Sequence, residues 1–508
     1  MERHLSIIPK PVSINYGNGA FNSTGLPVIT GDDEYRNEIE TVTEQLRNDF
    51  DKMNVKLSFD TEKTIVCKKG LINEKPEAYK LTILNNEIII EASSKTGAFH
   101  GLQTLRQLVL SEFCCETFTL PCAEITDYPR FSWRGFMLDC SRYFYSVDFI
   151  KQLIDVLSLH HISRFHWHLT DDQGWRFSVP EYPLLTEIGS RRVNNRLRGK
   201  VFYNDGFYTE EEIREIVDFA SRRHIEIIPE VDLPGHASAI LAAYPGLGCT
   251  GGYYRVEDRF GIFEDVLCAG NELIFDLCEK VFDTLVRLFP SKWVHIGGDE
   301  VLFNRWEECY KCQRKLAELG LKNIPELQSW ITYRLADMLA KRDRITIGWD
   351  EILDDTEKFK LPKDAVVMSW RGNEGGVKAS GLGHQVIMAS NNDGCYLDYK
   401  HIDTKEEPGQ TFNGSASVYL SYSMEAVTPE MENADSLILG GQCNLWSELI
   451  YAGKIAEYMI FPRLCAIAEA VWTPKEGKDF EDFSRRLAVH KKRLDILEIN
   501  YYRGKLQP

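Results

Sequence analysis

The densest chemistry in the sequence is the run His295-Ile296-Gly297-Gly298-Asp299-Glu300. Its two glycines let a ligand or another chain segment approach the backbone closely. Two adjacent carboxylates follow. Neighbours on one chain segment are poorly placed to straddle a ring; they suit two points of one substrate, one as acid and one as orienter. Tryptophan is the second signal. Trp349, Trp370 and Trp446 each follow a short β-rich run. Three indoles at one opening would wall a pocket in which the apolar faces of a pyranose stack, while Asp, Glu and Arg take its hydroxyls. Histidine is the rival signal. His166-Trp167-His168, with His236, His295 and Asp299, resembles a barrel metal site. Extended strands rise ~3.3 Å per residue, which puts His295 about 13 Å below Asp299 and His168 about 10 Å below Asp171. On that spacing these histidines are structural.

Such groups need a frame that gathers them. Eight short β-rich runs follow residue 130: Trp133–Asp139, Ser163–Leu169, Ile225–Val231, Trp293–Gly297, Ile345–Gly348, Ala365–Met368, Gln385–Ala389 and Leu437–Gly441. Helical patterns separate most of them. Phe149, Ile150, Leu153, Ile154 and Leu157 keep helical spacing, and Thr209 with Glu212 makes a capping box. Strand and helix alternating eight times predict an α/β fold, a (β/α)8 barrel. Chemistry on that fold belongs at the C-terminal strand ends. Polar residues collect there: Arg142; Asp171 and Asp172; Glu230, Asp232 and His236; Asp299 and Glu300; Asp350 and Glu351; Arg371; Tyr396 and Asp398; Glu448. Before the barrel, residues 1–127 read as a small α+β domain. It has a hairpin at Ala78–Leu84 and Glu87–Ala92 and a helix over Lys95–Leu110. Asp127-Tyr128-Pro129 marks the boundary, and residues 130–508 form the barrel.

Composition narrows the partners. Asp plus Glu is 76 against 59 Lys plus Arg, a formal charge of −17. A polyanion such as nucleic acid is a poor partner for that balance. No segment reaches ~18 consecutive apolar residues, so no membrane anchor is expected. The Met1–Lys10 start has no apolar core or small-residue cleavage site. Thirteen cysteines include one Cys-x-x-Cys, Cys309 to Cys312. A zinc ribbon needs a second pair. Reduced, mostly buried thiols in a reducing compartment, the cytoplasm, are the expectation.

Together these motifs resemble the family 20 glycoside hydrolases, the β-N-acetylhexosaminidases. The resemblance rests on His295–Glu300, Asp139-Cys140-Ser141-Arg142, the run from His166 to Gln173, Pro234-Gly235-His236 and Asn444-Leu445-Trp446-Ser447-Glu448. Ser447 stands where the pattern leads one to expect glycine. The resemblance implies retention through the substrate's own 2-acetamido group, an exception to the two-carboxylate scheme. It implies Glu300 as general acid and later base, Asp299 on the acetamido N–H, and Tyr396 on its oxygen. Asp171 and His236 would sit behind the acid. Arg142, Asp398 and Glu448 would hold hydroxyls, and Trp349, Trp370 and Trp446 would wall the ring. It implies no metal or organic cofactor, and a substrate with a terminal β-linked N-acetylhexosamine; the start without a signal segment, a departure from many secreted relatives, leads to the expectation of imported oligosaccharides. Two alternatives remain at this point: a metal-dependent barrel hydrolase acting on amides, such as a sugar deacetylase, and a catalytically dead carbohydrate-binding barrel.

Overall fold

The computed structural model describes residues 5–55, 58–72, 75–112, 117–197, 200–203 and 205–507. Strands β1 (Ser13–Ser23), β2 (Leu26–Gly31), β3 (Phe59–Lys69), β4 (Tyr79–Ile83), β5 (Glu87–Ala92) and β6 (Phe118–Asp127) form one sheet in the order β1-β6-β4-β5-β3-β2. The expected hairpin is β4 against β5, with Leu81 opposite Ile90. Its residues alternate between buried and half-buried, so one face is covered. The covering helices are α1 (Arg36–Lys52) and α2 (Lys95–Glu112).

Eight parallel strands then close into a barrel. β7 (Trp133–Asp139) and β8 (Arg164–His168) open it. Two short ribbons interrupt: β9 (Thr170–Asp171) with β10 (Gly174–Trp175), and β11 (Val193–Leu197) with β12 (Lys200–Tyr203). The barrel resumes with β13 (Glu226–Glu230), β14 (Trp293–His295), β15 (Ile345–Trp349), β16 (Val366–Ser369), β17 (Gln385–Met388) and β18 (Ile438–Leu445). All eight fall on the runs read from the sequence. Helix α3 (Val147–Leu159) and the helix Glu210–Ser221, whose Thr209–Glu212 capping box is formed, cover the outside. Trp133, Met137, Ile228, Ile347, Val366, Met368 and Ile387 fill the lumen, so the barrel is a packed core.

The two lobes meet through buried polar groups. Asp127 accepts hydrogen bonds from the indole of Trp472 at 3.0 Å and from Tyr79 at 2.9 Å. Arg106 on α2 pairs with Asp49 at 2.7 Å and with Asp155 of α3 at 2.9 Å. Arg134 of β7 pairs with Glu77 at 2.5 Å. The C-terminal helix Phe480–Ile496 returns to α2, where Arg493 donates to the Gln107 carbonyl at 2.9 Å. Among the described residues no helix is long and apolar enough to cross a membrane.

Candidate active site

β14 ends at His295, and the chain then turns through left-handed backbone. Gly297 has φ 68°, Gly298 φ 94° and Glu300 φ 52°. A Cβ on Gly297 would fall 1.7 Å from Asp232 Oδ1, the oxygen that accepts the Gly298 N–H at 3.1 Å. Glycine is required there by space as well as conformation. Glu300 has no such freedom, and a left-handed backbone costs an ordinary residue on the order of 1–3 kcal/mol. Facing it, His236 also has a positive φ, 46°. The Nε2 of His236 lies 3.6 Å from Glu300 Oε2 and 3.8 Å from Asp299 Oδ2, so both carboxylates converge on one nitrogen. Its Nδ1 is 3.0 Å from Asp171 Oδ1 and 3.2 Å from Asp172 Oδ2.

Beneath this turn lies a buried floor. His168 bridges Asp171 Oδ2 at 2.8 Å and Glu230 Oε2 at 2.5 Å. Glu230 also meets His166 and His295, each at 2.9 Å, and accepts the Trp349 indole N–H at 3.0 Å. The expected 10 Å between His168 and Asp171 is therefore wrong. Barrel strand β8 ends at His168 and Asp171 belongs to the separate β9–β10 ribbon, so the three residues do not add up as one extended strand. The histidines are structural for a different reason: His166, His168 and His295 are fully buried around Glu230 and do not reach the pocket.

A cavity of about 330 Å³ opens above the turn. Of the residues anticipated, Arg142, His236, Asp299, Glu300, Trp370, Tyr396, Trp446 and Glu448 line it. Arg142 is held by Asp171 at 2.9 Å and Asp139 at 3.2 Å, lies 3.7 Å from Glu448, and sits over the Trp446 ring. Trp370 and Tyr396 lie almost parallel, 12° apart with centroids 6.2 Å apart. Tyr396 is fixed by backbone bonds between its neighbours and Asn444 of β18. Ser447 is buried and ties the end of β18 to β7: its N–H donates to Asp139, and its hydroxyl accepts from the Tyr143 N–H.

Three anticipated residues stand elsewhere. Trp349 does not wall the pocket; it is 1% exposed, is the last residue of β15, and supports Trp446 from behind at 5.7 Å. Asp171 lies behind His236, as the resemblance implied, away from the lining. Asp398 lies beside the lining, with one oxygen bonded to Gln410 and the other buried without a protein partner.

The electrostatics divide along the same line. Burial opposes the imidazolium of His236, yet Asp171 and Asp232 outweigh it and hold the ring well above the ordinary histidine range. His168 is raised in the same way by Glu230 and Asp171. Asp171 is held well below the carboxylate range, because Arg142 and His236 overcome its burial. Asp299 moves the other way. Burial and then Asp232 push its carboxyl well up, against the pull of His236. Burial, then Asp299 and Asp350, push Glu351 up to about 9.

Sequence reasoning missed the rim. Phe260, Gly261 and Ile262 arrive on the connection after β13; Tyr399, Gln410 and Phe412 arrive on the one after β17. Phe260 and Phe412 stack across the opening with centroids 5.3 Å apart. Glu351, noted only as a strand-end acid, accepts the Trp370 indole N–H at 2.8 Å and sets that ring.

The chain is similar to known proteins. The chain is 38% identical over 512 residues to the "Beta-hexosaminidase" of Porphyromonas gingivalis, covering 99% of this chain and 65% of that protein's length. It is 33% identical to the "Beta-hexosaminidase" of Vibrio furnissii, over 91% of this chain and 76% of the relative. Among solved structures, the GH20 exo-β-N-acetylglucosaminidase of Vibrio harveyi with N-acetylglucosamine superposes with TM-score 0.88 at 32% identity, covering 98% and 78% of the two chains. The family model "Glycosyl hydrolase family 20, catalytic domain" matches residues 131–475, the stretch that holds the whole barrel and its pocket, and "Glycosyl hydrolase family 20, domain 2" matches residues 4–128. With both lobes matched and Asp299 and Glu300 seated at the barrel opening, the chain belongs to glycosyl hydrolase family 20.

Proposed function

We infer that this chain is an exo-acting, retaining β-N-acetylhexosaminidase. The observation that carries the reading is the convergence of Asp299 and Glu300 on one side of an aromatic pocket, both within 4 Å of His236 Nε2. Carboxylates gathered on one side leave the attack on C1 to the substrate itself. Glu300, with its side chain 31% exposed to the cavity, gives its proton to the glycosidic oxygen. The C1–oxygen bond breaks as the 2-acetamido oxygen bonds to C1, forming an oxazolinium ring. Asp299 holds the acetamido N–H and offsets the positive charge that develops there. Tyr396 aims the acetamido oxygen. Water then attacks C1, Glu300 takes its proton, and the acetamido group is restored. His236 and Asp171 position the acid and act through it. Trp370, Tyr396 and Trp446 wall the sugar, and Arg142, Glu448 and Asp398 hold its hydroxyls. The relatives named beta-hexosaminidase support this reading, as does the N-acetylglucosamine complex of the Vibrio harveyi enzyme.

The test compares aryl β-GlcNAc with aryl β-glucoside. Loss of the 2-acetamido group should cost far more than the roughly tenfold of one hydrogen bond. A thiazoline mimic of the cyclised intermediate should bind much more tightly than the product sugar. Equal turnover of the two glycosides, or labelling of a carboxylate by a 2-fluoro glycoside, would overturn the mechanism. The same reading is of a cytoplasmic enzyme acting on imported oligosaccharides; the eleven described cysteines, with no disulfide among them, support a reducing compartment.

A further inference from the structure

The sequence offered one Cys-x-x-Cys and no second pair. The fold supplies the second pair from two places. Cys249 follows the turn Pro245–Leu247, and Cys268 precedes the helix Leu273–Leu288; both lie on the long connection after β13. Cys309 and Cys312 lie after β14, at the start of the helix Tyr310–Leu319. The sulfurs of all four lie within 4.8 Å of one another. Cys249 to Cys312 is 3.8 Å, Cys268 to Cys309 is 3.8 Å, and Cys268 to Cys312 is 3.6 Å. A disulfide needs ~2.05 Å. A tetrahedral zinc with ~2.3 Å bonds to sulfur has sulfur–sulfur edges of ~3.8 Å.

The backbone is built around this meeting. A Cβ on Gly270 would fall 2.1 Å from the Lys311 carbonyl carbon and 2.6 Å from the Cys312 nitrogen. Only glycine lets the Cys268 segment press so closely on the Cys309–Cys312 turn. The Cys268 N–H donates to Leu247 O at 2.9 Å, which closes the first connection on itself, and the Trp306 indole donates to Leu267 O at 2.9 Å, which ties the second connection to the first beside Cys268. Three of the four cysteines are buried and Cys249 is partly exposed, so the site is closed to substrate.

We propose that Cys249, Cys268, Cys309 and Cys312 bind one structural Zn²⁺ that staples the connection after β13 to the connection after β14. The staple joins the two connections that carry residues of the pocket. Between Cys249 and Cys268 the chain carries Phe260, Gly261 and Ile262, which line the cavity, and between β14 and Cys309 it carries Asp299 and Glu300. Four thiolates and no open position give a structural ion, separate from the chemistry of hydrolysis. The catalytic proposal stands or falls on glycoside turnover, whereas this one stands or falls on metal content.

The experiment is elemental analysis of the whole purified chain with a thiol count after unfolding in chelator. About one zinc per chain and all thirteen thiols are expected. Zinc-free protein refilled with cobalt should show the visible bands and intense sulfur-to-metal charge transfer of tetrahedral thiolate. Cys309→Ser with Cys312→Ser should lose the metal, lower the melting temperature and open the 249–268 segment to protease. Cys249→Ser, the mildest change, should weaken zinc retention if the double variant does not fold. Wild-type protein with no metal and thirteen thiols would overturn the proposal. So would nine thiols, the mark of two disulfides among the four, or iron in place of zinc.

Discussion

The floor and the rim of the pocket are built on opposite principles. The floor is strand ends: Glu230, His168, Asp171 and Trp349 are almost wholly buried, and each is held by at least one close polar partner. The rim is loops: Phe260 is 48% and Phe412 66% exposed, and their main described partner is each other. A buried charge network keeps its geometry because any departure strands a charge in low dielectric. A pair of exposed rings keeps its geometry only to the extent of a weak stacking energy. The chemistry is thus set on rigid ground, while the rim of the opening is adjustable.

Perturbations should separate the two regions. The largest effect falls at the turn above the floor: Glu300→Gln should cut hydrolysis of natural glycosides by ~10²–10⁴. Aryl substrates with acidic leaving groups should lose less in the first step. Equal loss on both would remove Glu300 from the acid role. Next, Asp299→Ala should lower kcat by ~10²–10³ with a smaller change in KM, since the charge it serves exists mainly in the transition state; steady-state kinetics that moved KM alone would make it a binding residue. Within the floor, Glu230→Gln leaves His166, His168 and His295 without their shared counter-charge. A loss of roughly 3–5 kcal/mol in denaturant unfolding is expected, and a stability like wild type would mean the network is not a unit. At the rim, Phe260→Ala with Phe412→Ala should leave the unfolding curve in place and raise KM less than about tenfold, in line with the ~0.5–1.5 kcal/mol of an aromatic pair. A large fall in kcat there would erase the distinction between the regions.

A separate effect is on pH dependence. Burial, and then Glu448, push Asp398 up to about 7 from 3.8. The folded state thus binds a proton more tightly than the unfolded chain. This contribution to stability is present below the ordinary value near 4 and is lost as pH rises through about 7. Asp398→Asn should remove that part of the decline, measurable as a flatter melting temperature between pH 4 and 7.

The same division explains what could be read from the chain. Strand positions follow from hydrophobic runs of β-rich residues, and acids at strand ends follow from the barrel, so Arg142, Asp299, Glu300, Tyr396 and Glu448 were all legible. Trp349 was misplaced because pattern alone does not say which face the last strand residue presents. Trp349 ends β15 and packs inside, whereas Trp370 comes one residue after β16 and reaches the cavity. His168 and Asp171 were set too far apart because a two-residue ribbon has no periodicity to announce that the barrel strand has ended. Phe260 and Phe412 lie on connections with no repeat at all. The four cysteines were hidden for the same reason: eighteen residues lie between Cys249 and Cys268, and only the fold makes them a pair.

The junction between the lobes bears on how the molecule comes apart. Arg106, Arg134 and Arg493 are buried there, and each finds a partner across the boundary or on the returning C-terminal helix. Separating the lobes would expose these cations along with Trp472 and the carboxyl of Asp127, which its burial pushes up to about 7. Neither lobe can therefore be the minimal autonomous unit. A fragment beginning at residue 130 would present Arg134 without Glu77 and Asp155 without Arg106, and the intact chain should melt in one calorimetric transition, with both lobes crossing it together.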